Sequence, residues 1–317
     1  MNYQEKADNL FNEQKTNWPL LSKNIDGLKN AQLKTFGFNG FSINVQYNPK
    51  RITSSSAKVD NKTISERKCF LCSINRPHEQ NQVLFENSYE ILCNPYPIFD
   101  RHYTIAALKH TPQQIKTSFK SFLQISKSLP QLVTFYNAPN CGASAPDHLH
   151  FQAGSRGFVP IENEIEKLKP LYGKKIPSAK NIEITSIDDS LRRFIVLESE
   201  NIEAINRVFQ IIFDYTSNLT GNNEPMLNIL SWHKKKWRVI VFLRHKHRPW
   251  QYFEQGNNNI LLSPASVDFG GTLITPLQKD FDKINRSNII DIFNQVSMQP
   301  ATFKKLTRFI IDAINTL

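Results

Sequence analysis

The chain contains a series of short segments in which apolar and polar residues alternate or apolar residues cluster. Residues 40–47 alternate with a period of two, which is typical of a strand with one buried face. Short apolar runs bounded by turn-forming residues indicate further strands in the first half. We predict these strands at residues 90–93, 102–108, 132–136 and 148–152.

A helical period predicts fewer elements in the first half. Residues 3–28 have this period and a polar face. We predict a second helix from Thr111 to Leu129, because Thr caps helices well and Pro112 suits the first helical position. Residues 48–68 are polar and rich in Ser and Lys, and we interpret them as a loop.

The second half has the same kind of element order. The pattern there predicts a hairpin whose turn contains three consecutive lysines, 234–236. The predicted strands are residues 181–187, 192–197, 226–232 and 237–243, with a helix at 203–219 and mostly helical chain over 277–317.

Strands joined by local hairpins and helices predict an α+β fold with an antiparallel sheet. Pro and Lys accumulate between residues 159 and 178, and we place the boundary between two halves there. The two predicted domains are residues 1–165 and 166–317. Their similar order suggests a divergent duplication, although no clean repeat is visible in the sequence.

Composition and charge narrow the class of protein. Hydrophobic residues make up 40% and aromatic residues 11% of the 317 positions, which excludes a disordered or collagen-like chain. The net charge of +11 favours anionic partners such as nucleotides, sugar phosphates or nucleic acid. A solvated, Lys-rich surface that merely aids solubility would give the same balance.

The sequence contains little that indicates a membrane, a secretory pathway or a disulfide framework. No apolar run approaches the roughly 20 residues that a membrane-spanning helix needs, and no signal peptide is visible in the polar first residues. Four cysteines in a chain of this length are too few for a disulfide framework. We therefore expect a soluble, cytoplasmic protein without a membrane partner.

The candidate chemistry lies in one predicted strand that contains His148, His150 and Gln152. Side chains two positions apart on a strand share a face, so these three groups are predicted to project together. A neutral imidazole can attack phosphorus and can leave again, because its pKa lies near neutrality. The alternative is a pair of surface histidines on an amphipathic strand.

Two motifs resemble the histidine-triad superfamily. Residues 136–152 read YNAPNCGASAPDHLHFQ, and residues 101–110 read RHYTIAALKH. The H-x-H-x-Q form is similar to the branch of galactose-1-phosphate uridylyltransferases, diadenosine tetraphosphate phosphorylases and GDP-hexose phosphorylases. The resemblance implies a histidine-triad-like antiparallel sheet with helices, present as two such halves in one chain.

The resemblance also implies roles for single residues. The second His of the motif, His150, would be the covalent nucleophile, and Gln152 would hold the phosphate oxygens of the intermediate. Three further nucleotide-binding candidates lie within residues 136–152, before the two motif histidines, and a fourth follows the predicted strand at residues 40–47. They are Asn137, Gly142, Ser144 and Arg51.

Cys69 and Cys72 have the spacing of half a zinc site. The resemblance implies that His110 and His148 complete a structural zinc site and leave the second motif histidine free. Two other histidines, His78 and His102, are rival ligands. Two buried thiols or a redox pair are the alternatives to a metal site.

The segment 244–250, RHKHRPW, is basic and follows an apolar strand. Its arginines could clamp a phosphate, because the guanidinium fork matches phosphate oxygens. A solvated strand end is the plain alternative. A second metal held by His245 and His247 is a third.

These observations predict a two-step nucleotidyltransferase. The substrate would be a nucleotide sugar or a dinucleotide, and the acceptor would be phosphate, as in a phosphorylase, or a sugar phosphate. A histidine-triad hydrolase is the nearest rival, although such hydrolases carry a third His where Gln152 stands. A zinc-bearing nucleotide- or RNA-binding protein without turnover is the other rival. Nucleic acid is not expected as a partner, and the base, the sugar and a homodimeric state are left open.

Overall fold

A computed structural model describes residues 1–52, 60–177 and 181–315 of the chain. Its strands are β1 (Gln32–Gly37), β2 (Ser42–Tyr47), β3 (Gln82–Phe85), β4 (Tyr89–Cys93), β5 (His102–Ala107), β6 (Leu132–Asn137), β7 (His150–Ser155), β8 (Gly173–Ile176), β9 (Glu183–Asp188), β10 (Arg193–Ser199), β11 (Leu227–His233), β12 (Trp237–Leu243) and β13 (Thr272–Thr275).

Helices precede, connect and follow these strands. They are α1 (Tyr3–Asn17), α2 (Pro19–Leu28), α3 (Asn61–Glu66), α4 (Phe119–Ser128), α5 (Ile161–Tyr172), α6 (Ile202–Thr220), α7 (Ser266–Phe269), α8 (Gln278–Lys283), α9 (Arg286–Val296) and α10 (Pro300–Asn315).

The main sheet has ten strands in the order β3-β4-β5-β7-β6-β11-β12-β10-β9-β8. Every neighbouring pair is antiparallel. Read inward from each edge, the two sets of five strands have the same order, and β6 pairs with β11 at the centre. The predicted α+β fold with two similar halves is therefore confirmed.

Helices cover one face of the sheet. α6 shows how the sequence specifies such a helix: Asn201 caps its start by accepting the backbone N–H groups of Glu203 and Ala204. Gly221 ends the helix with a φ of 67°, a left-handed conformation that suits glycine. The apolar side of α6 packs into one large core with α1, α4, α10 and the sheet.

The opposite face of the sheet is covered unevenly. Over the second half, a second core joins α5, α9 and a three-stranded sheet of β1, β2 and β13 to the ten-stranded sheet. β13 runs parallel to β2, so a strand from the end of the chain completes a sheet from its beginning. Over part of the first half this face is open to a cavity.

The predicted helix from Thr111 begins late, since α4 starts only at Phe119. The reason is tertiary. The Thr111 carbonyl accepts the N–H of Leu149 at 2.7 Å, and the Ile115 N–H donates to the carboxylate of Glu224. These bonds hold the segment before the helix against two other parts of the chain.

Other differences are smaller. The predicted first helix divides into α1 and α2 at Trp18, and residue 165, the proposed domain limit, lies within α5. In the predicted 48–68 loop, residues 53–59 lie outside the described part of the chain, while residues 61–66 form α3. Among the described residues, no helix is long and apolar enough to cross a membrane.

Candidate active site beside strand β7

A cavity of about 460 Å³ lies on the open face of the first half. Residues from β5, β6 and β7, from the loop before β7 and from the second half all contribute to it. Its polar lining includes Arg51, Asn94, Thr104, Asn137, Ser144, His150, Gln152, His247, Arg248, Ser263 and Asp268. Its apolar lining includes Trp18, Leu20, Phe70 and Leu71. The volume suits a ligand the size of a nucleotide.

His150 is the first residue of β7 and faces this cavity. Its Nδ1 lies 2.8 Å from the carbonyl oxygen of His148. A carbonyl can only accept, so Nδ1 carries the proton and Nε2 keeps its lone pair. Burial lowers the pKa of His150 to about 4, and the ring is therefore neutral and nucleophilic at neutral pH.

The side chain of Gln113 locks the start of β7. Its Oε1 accepts the backbone N–H of His150 at 2.8 Å, and its Nε2 donates to the carbonyls of His150 and Asn137 at 3.0 Å each. Gln113 is fully buried. One side chain thus joins the start of β7 to the end of β6. Local sequence pattern predicts a helix at Gln113 and does not indicate this contact, because its partners lie 24 and 37 residues away.

Gln152 also lines the cavity, on the same face of β7 as His150. Its Oε1 lies 3.0 Å from Nε2 of His102, a buried residue of β5. Between these two positions, Phe151 points to the other face and packs against Phe122 of α4, with ring centroids 5.2 Å apart. The predicted alternation from residue 150 to residue 152 is confirmed.

The loop before β7 lies against the second half. Gly142 has a φ of 97°, and a Cβ there would lie 2.6 Å from the Cβ of Ala265, so only glycine fits the close approach. Gly142 and Ser144 both line the cavity. Their roles in nucleotide binding stay predictions.

Arg51 follows β2 and also lines the cavity. Its Nη1 donates to the Tyr96 carbonyl at 2.7 Å, while its buried Nε has no hydrogen-bond partner among the described residues. Burial lowers the pKa of Arg51 to about 10, partly offset by Asp268, so the guanidinium remains charged at neutral pH. A charged group with unused donors in a cavity is suited to binding an anion.

Beside the cavity, Cys69, Cys72, His110 and His148 bring four ligand atoms within 4.8 Å of one another. The Sγ of Cys69 lies 3.3 Å from Nδ1 of His148, and the Sγ of Cys72 lies 3.2 Å from Nδ1 of His110. Nε2 of His148 donates to the Ala107 carbonyl at 2.8 Å, which leaves its Nδ1 lone pair for a metal. These residues fit a tetrahedral Cys₂His₂ site.

The chemistry of the Cys69 thiol also suits a metal, whereas burial and the neighbouring Cys69 raise the pKa of Cys72. Burial by itself raises the pKa of Cys69, but the hydrogen bond with His148 and the backbone N–H groups of Leu71 and Cys72 together lower it to about 6. A thiolate is the form that binds zinc.

The two rival ligands lie elsewhere. His78 is almost fully exposed beside Glu79, and His102 contacts Gln152, so neither belongs to the four-residue cluster. One expectation is wrong: His148 does not share a face with His150. β7 begins only at residue 150, and the preceding bend turns His148 toward the cysteines.

The basic segment after β12 also contributes to the cavity. His247 and Arg248 line it, and Arg248 stacks over Tyr252, with its Cζ 4.1 Å from the ring centroid. Burial and two neighbouring arginines lower the pKa of His247 to about 4. Among the described residues, His245 and His247 belong to no group of three or more metal-ligating side chains, so a second metal site is not supported.

Two protein families match the sequence. Residues 10–155 match a domain of unknown function, DUF4922. Residues 165–317 match the GDPGP1-like, C-terminal domain family. The second half is thus similar to the GDPGP1-like, C-terminal domain family. A search of curated proteins by sequence found no significant match.

Solved structures identify the fold. Yeast Ap4A phosphorylase Apa2 is similar with a TM-score of 0.60 and 16% identity, over 94% of this chain and 96% of that chain. Its complex with Ap4A gives 0.61 and 14%, over 92% and 97%. A GalT-like protein from Arabidopsis thaliana reaches only 0.37 and 12%, over 85% and 100%. The predicted resemblance is confirmed, and the likeness to Apa2 shows a shared fold.

The second half orients the side chain of Asn137, which belongs to the first half. Arg244 Nη1 donates to Oδ1 of Asn228 at 2.5 Å. The amide nitrogen of Asn228 then donates to Oδ1 of Asn137 at 2.8 Å. Because a guanidinium can only donate, this series fixes both amides and leaves Nδ2 of Asn137 as the donor for the cavity. Local pattern did not predict Asn228. Arg244 belongs to the basic segment in which we expected a possible phosphate clamp, but it is buried and its guanidinium donates to protein groups instead.

Proposed function

We propose that this chain transfers a nucleoside monophosphoryl group in two steps through His150. One observation carries the proposal: a neutral imidazole with a free Nε2 lone pair faces a cavity lined by Gln152, Asn137 and Arg51. A nucleophile needs a lone pair, and the attacked phosphate needs donors. Both requirements are met in one place.

In the first step, Nε2 of His150 attacks the α-phosphorus and forms a P–N bond. The P–O bond to the leaving phosphate breaks, and its electron pair departs on the bridging oxygen. In the second step, an acceptor oxygen attacks the same phosphorus, and the P–N electron pair returns to Nε2. The proton on Nδ1 stays in place throughout, because the His148 carbonyl holds it.

The substrate is a nucleoside diphosphate sugar or a dinucleoside polyphosphate, and the acceptor is phosphate or a sugar phosphate. The cavity lining combines apolar side chains such as Phe70 with the guanidinium groups of Arg51 and Arg248. Such a combination suits a ligand that carries both a base and phosphates. Similarity in fold to an Ap4A phosphorylase supports the class of substrate.

Zinc would be held by Cys69, Cys72, His110 and His148. When bound there it supplies structural stability rather than a reacting group, because four protein ligands leave no open position. Its ligand His148 is also the residue whose carbonyl accepts Nδ1–H of His150. A fixed His148 therefore keeps the nucleophile in the required tautomer.

The test is capture of the covalent intermediate. The protein is incubated with UDP-glucose, GDP-hexoses or diadenosine tetraphosphate, each labelled at the α-phosphorus, in the absence of acceptor. We expect an acid-labile, alkali-stable adduct with at least one of them. His150→Ala should remove the label completely, whereas His78→Ala, a change at an exposed histidine, should retain it.

Other outcomes would change the assignment. Release of nucleoside monophosphate into water without an added acceptor would indicate a hydrolase. Binding without an adduct in the unmutated protein would indicate a nucleotide-binding protein without turnover and would refute nucleotidyl transfer. An adduct that inorganic phosphate converts to a nucleoside diphosphate would identify a phosphorylase.

A further inference from the structure

We propose that His102 is a positioning residue, which holds the side-chain amide of Gln152 with its nitrogen toward the bound phosphate. The inference rests on the proposed function, because it assigns how one group of that site acquires its orientation. His102 is fully buried and does not line the cavity. It acts through Gln152, with which it shares a 3.0 Å hydrogen bond.

The orientation follows from a series of hydrogen bonds that begins at a backbone N–H. Nδ1 of His102 lies 3.4 Å from the backbone nitrogen of Ile98. A backbone N–H can only donate, so Nδ1 is the acceptor and Nε2 carries the proton. The atom of Gln152 that faces Nε2 must then be its oxygen, which leaves its NH₂ group for the cavity.

The charge state of the ring agrees with this arrangement. Burial, assisted by the positive charge of Arg51, lowers the pKa of His102 to about 3. The ring is therefore neutral at neutral pH and retains only the proton on Nε2. A cationic ring would carry a proton on Nδ1 as well and would face the N–H of Ile98 with a second donor.

Packing prevents the ring from turning. Phe99 lies edge-on to His102 with ring centroids 5.2 Å apart, and Phe135 lies on it at 5.9 Å. Phe99 reaches this position because residue 154 is glycine: a Cβ there would lie 2.4 Å from the Phe99 ring. The histidine that orients Gln152 is thus itself fixed by aromatic side chains.

The two histidines on this face of the sheet have opposite tautomers for complementary reasons. At His150 a carbonyl holds the proton on Nδ1, and Nε2 is free to attack. At His102 a backbone N–H occupies Nδ1, and Nε2 donates. If the amide of Gln152 were reversed, its oxygen would face the phosphate and repel it. The orientation therefore decides whether this residue assists or opposes the transfer.

A matched pair of variants isolates the donor. His102→Gln places an amide nitrogen near the former Nε2, whereas His102→Met has a similar length and volume but no donor. Both variants lose the acceptor for Ile98. We expect His102→Met to slow adduct formation by about 10- to 100-fold, with little change in KM. This is less than the roughly 100- to 1,000-fold cost of removing a transition-state donor, because the amide of Gln152 is only disoriented. We expect His102→Gln to stay within about threefold of the unmutated rate.

A double-mutant cycle separates positioning from general support of the fold. In a Gln152→Ala background, His102→Met should produce no further loss of rate, because the group that it positions is absent. A similar loss in both backgrounds would overturn the proposal and make His102 a structural residue. Equal melting temperatures for the Met and Gln variants check that both fold.

The tautomer can be measured without any turnover, by long-range ¹H–¹⁵N correlation spectra of the histidine rings. We expect Nδ1 of His102 and Nε2 of His150 to be the unprotonated nitrogens. A proton on Nδ1 of His102 would overturn this proposal even if the adduct forms. Absence of an adduct combined with the expected tautomers would refute the proposed function alone and leave the orientation of Gln152 established.

Discussion

The two halves of the ten-stranded sheet share their strand order but use the same face differently. In the first half, His150 and Gln152 of β7 face a cavity. In the second half, β12 occupies the corresponding place in the order, and its side chains Ile240 and Phe242 on that face are fully buried. Phe269 covers Phe242, with ring centroids 5.3 Å apart.

The difference shows that strand order provides positions but not chemistry. In the second half, apolar side chains of β12, α7 and α9 pack together on this face and stabilise the fold. The first half leaves its face uncovered, and polar groups there keep access to a ligand. The second half still takes part in the site, since Arg244 and Asn228 orient Asn137 across the central pair of strands.

The largest loss of stability is expected in the apolar core that covers this face of the sheet in the second half. Phe242→Ala should lower the free energy of unfolding by about 3–5 kcal/mol, because it leaves a cavity among buried aromatic rings. Urea denaturation measures the change. Phe253→Ala, at a side chain that is 66% exposed, should cost less than about 1 kcal/mol. Equal effects of the two variants would contradict the division of roles between the halves.

A somewhat smaller loss of stability is expected when the metal cluster is disrupted. The described part of the second half contains no counterpart of this cluster. Cys72→Ser should abolish zinc binding and lower stability by about 2.7 kcal/mol at free zinc near 100 times Kd. It should also slow adduct formation, because His148 would no longer be fixed. Metal analysis and thermal melting test this. The control Cys93→Ala, at a buried thiol outside the cluster, should retain zinc; purified protein without zinc would refute the site.

The smallest change in stability is expected at the contact between the two halves around Glu224. Glu224 of the second half accepts the hydroxyl of Tyr136 at 2.7 Å and the N–H of Ile115. Burial raises the pKa of Glu224 to about 7, above the ordinary value of 4.5. The folded protein then binds more protons than the unfolded chain between pH 4.5 and 7, so stability should fall as the pH rises through this range.

We expect this fall to be roughly 2 kcal/mol, since water partly screens the carboxyl. Glu224→Gln should remove that part of the pH dependence, which denaturant titrations at several pH values would detect. Glu254→Gln is a suitable comparison on the same half and should leave the slope unchanged. If Glu224→Gln does not alter the change of unfolding free energy with pH, Glu224 does not titrate in this range.

Local pattern predicted the strands that contain several apolar residues, including β11, β12 and their lysine turn. It missed β1, β3, β8 and β13, which are short or lie in mixed polar segments, and it missed α5. Pro170 lies in the last turn of α5, within the Pro- and Lys-rich segment that we interpreted as a boundary. Composition alone cannot separate such a helix from a linker, because its apolar face has meaning only against β8 and β9.

The sequence by itself determined the alternation that sends His150 and Gln152 to one face and Phe151 to the other, because a strand has a period of two. It also predicted the four members of the metal cluster, through the resemblance of two motifs. Only the tertiary structure decided where β7 begins, and hence that His148 turns away from His150. It alone decided the partners of His102, Gln113 and Asn137, because hydrogen bonds between residues far apart in sequence depend on the register of strands and not on local pattern.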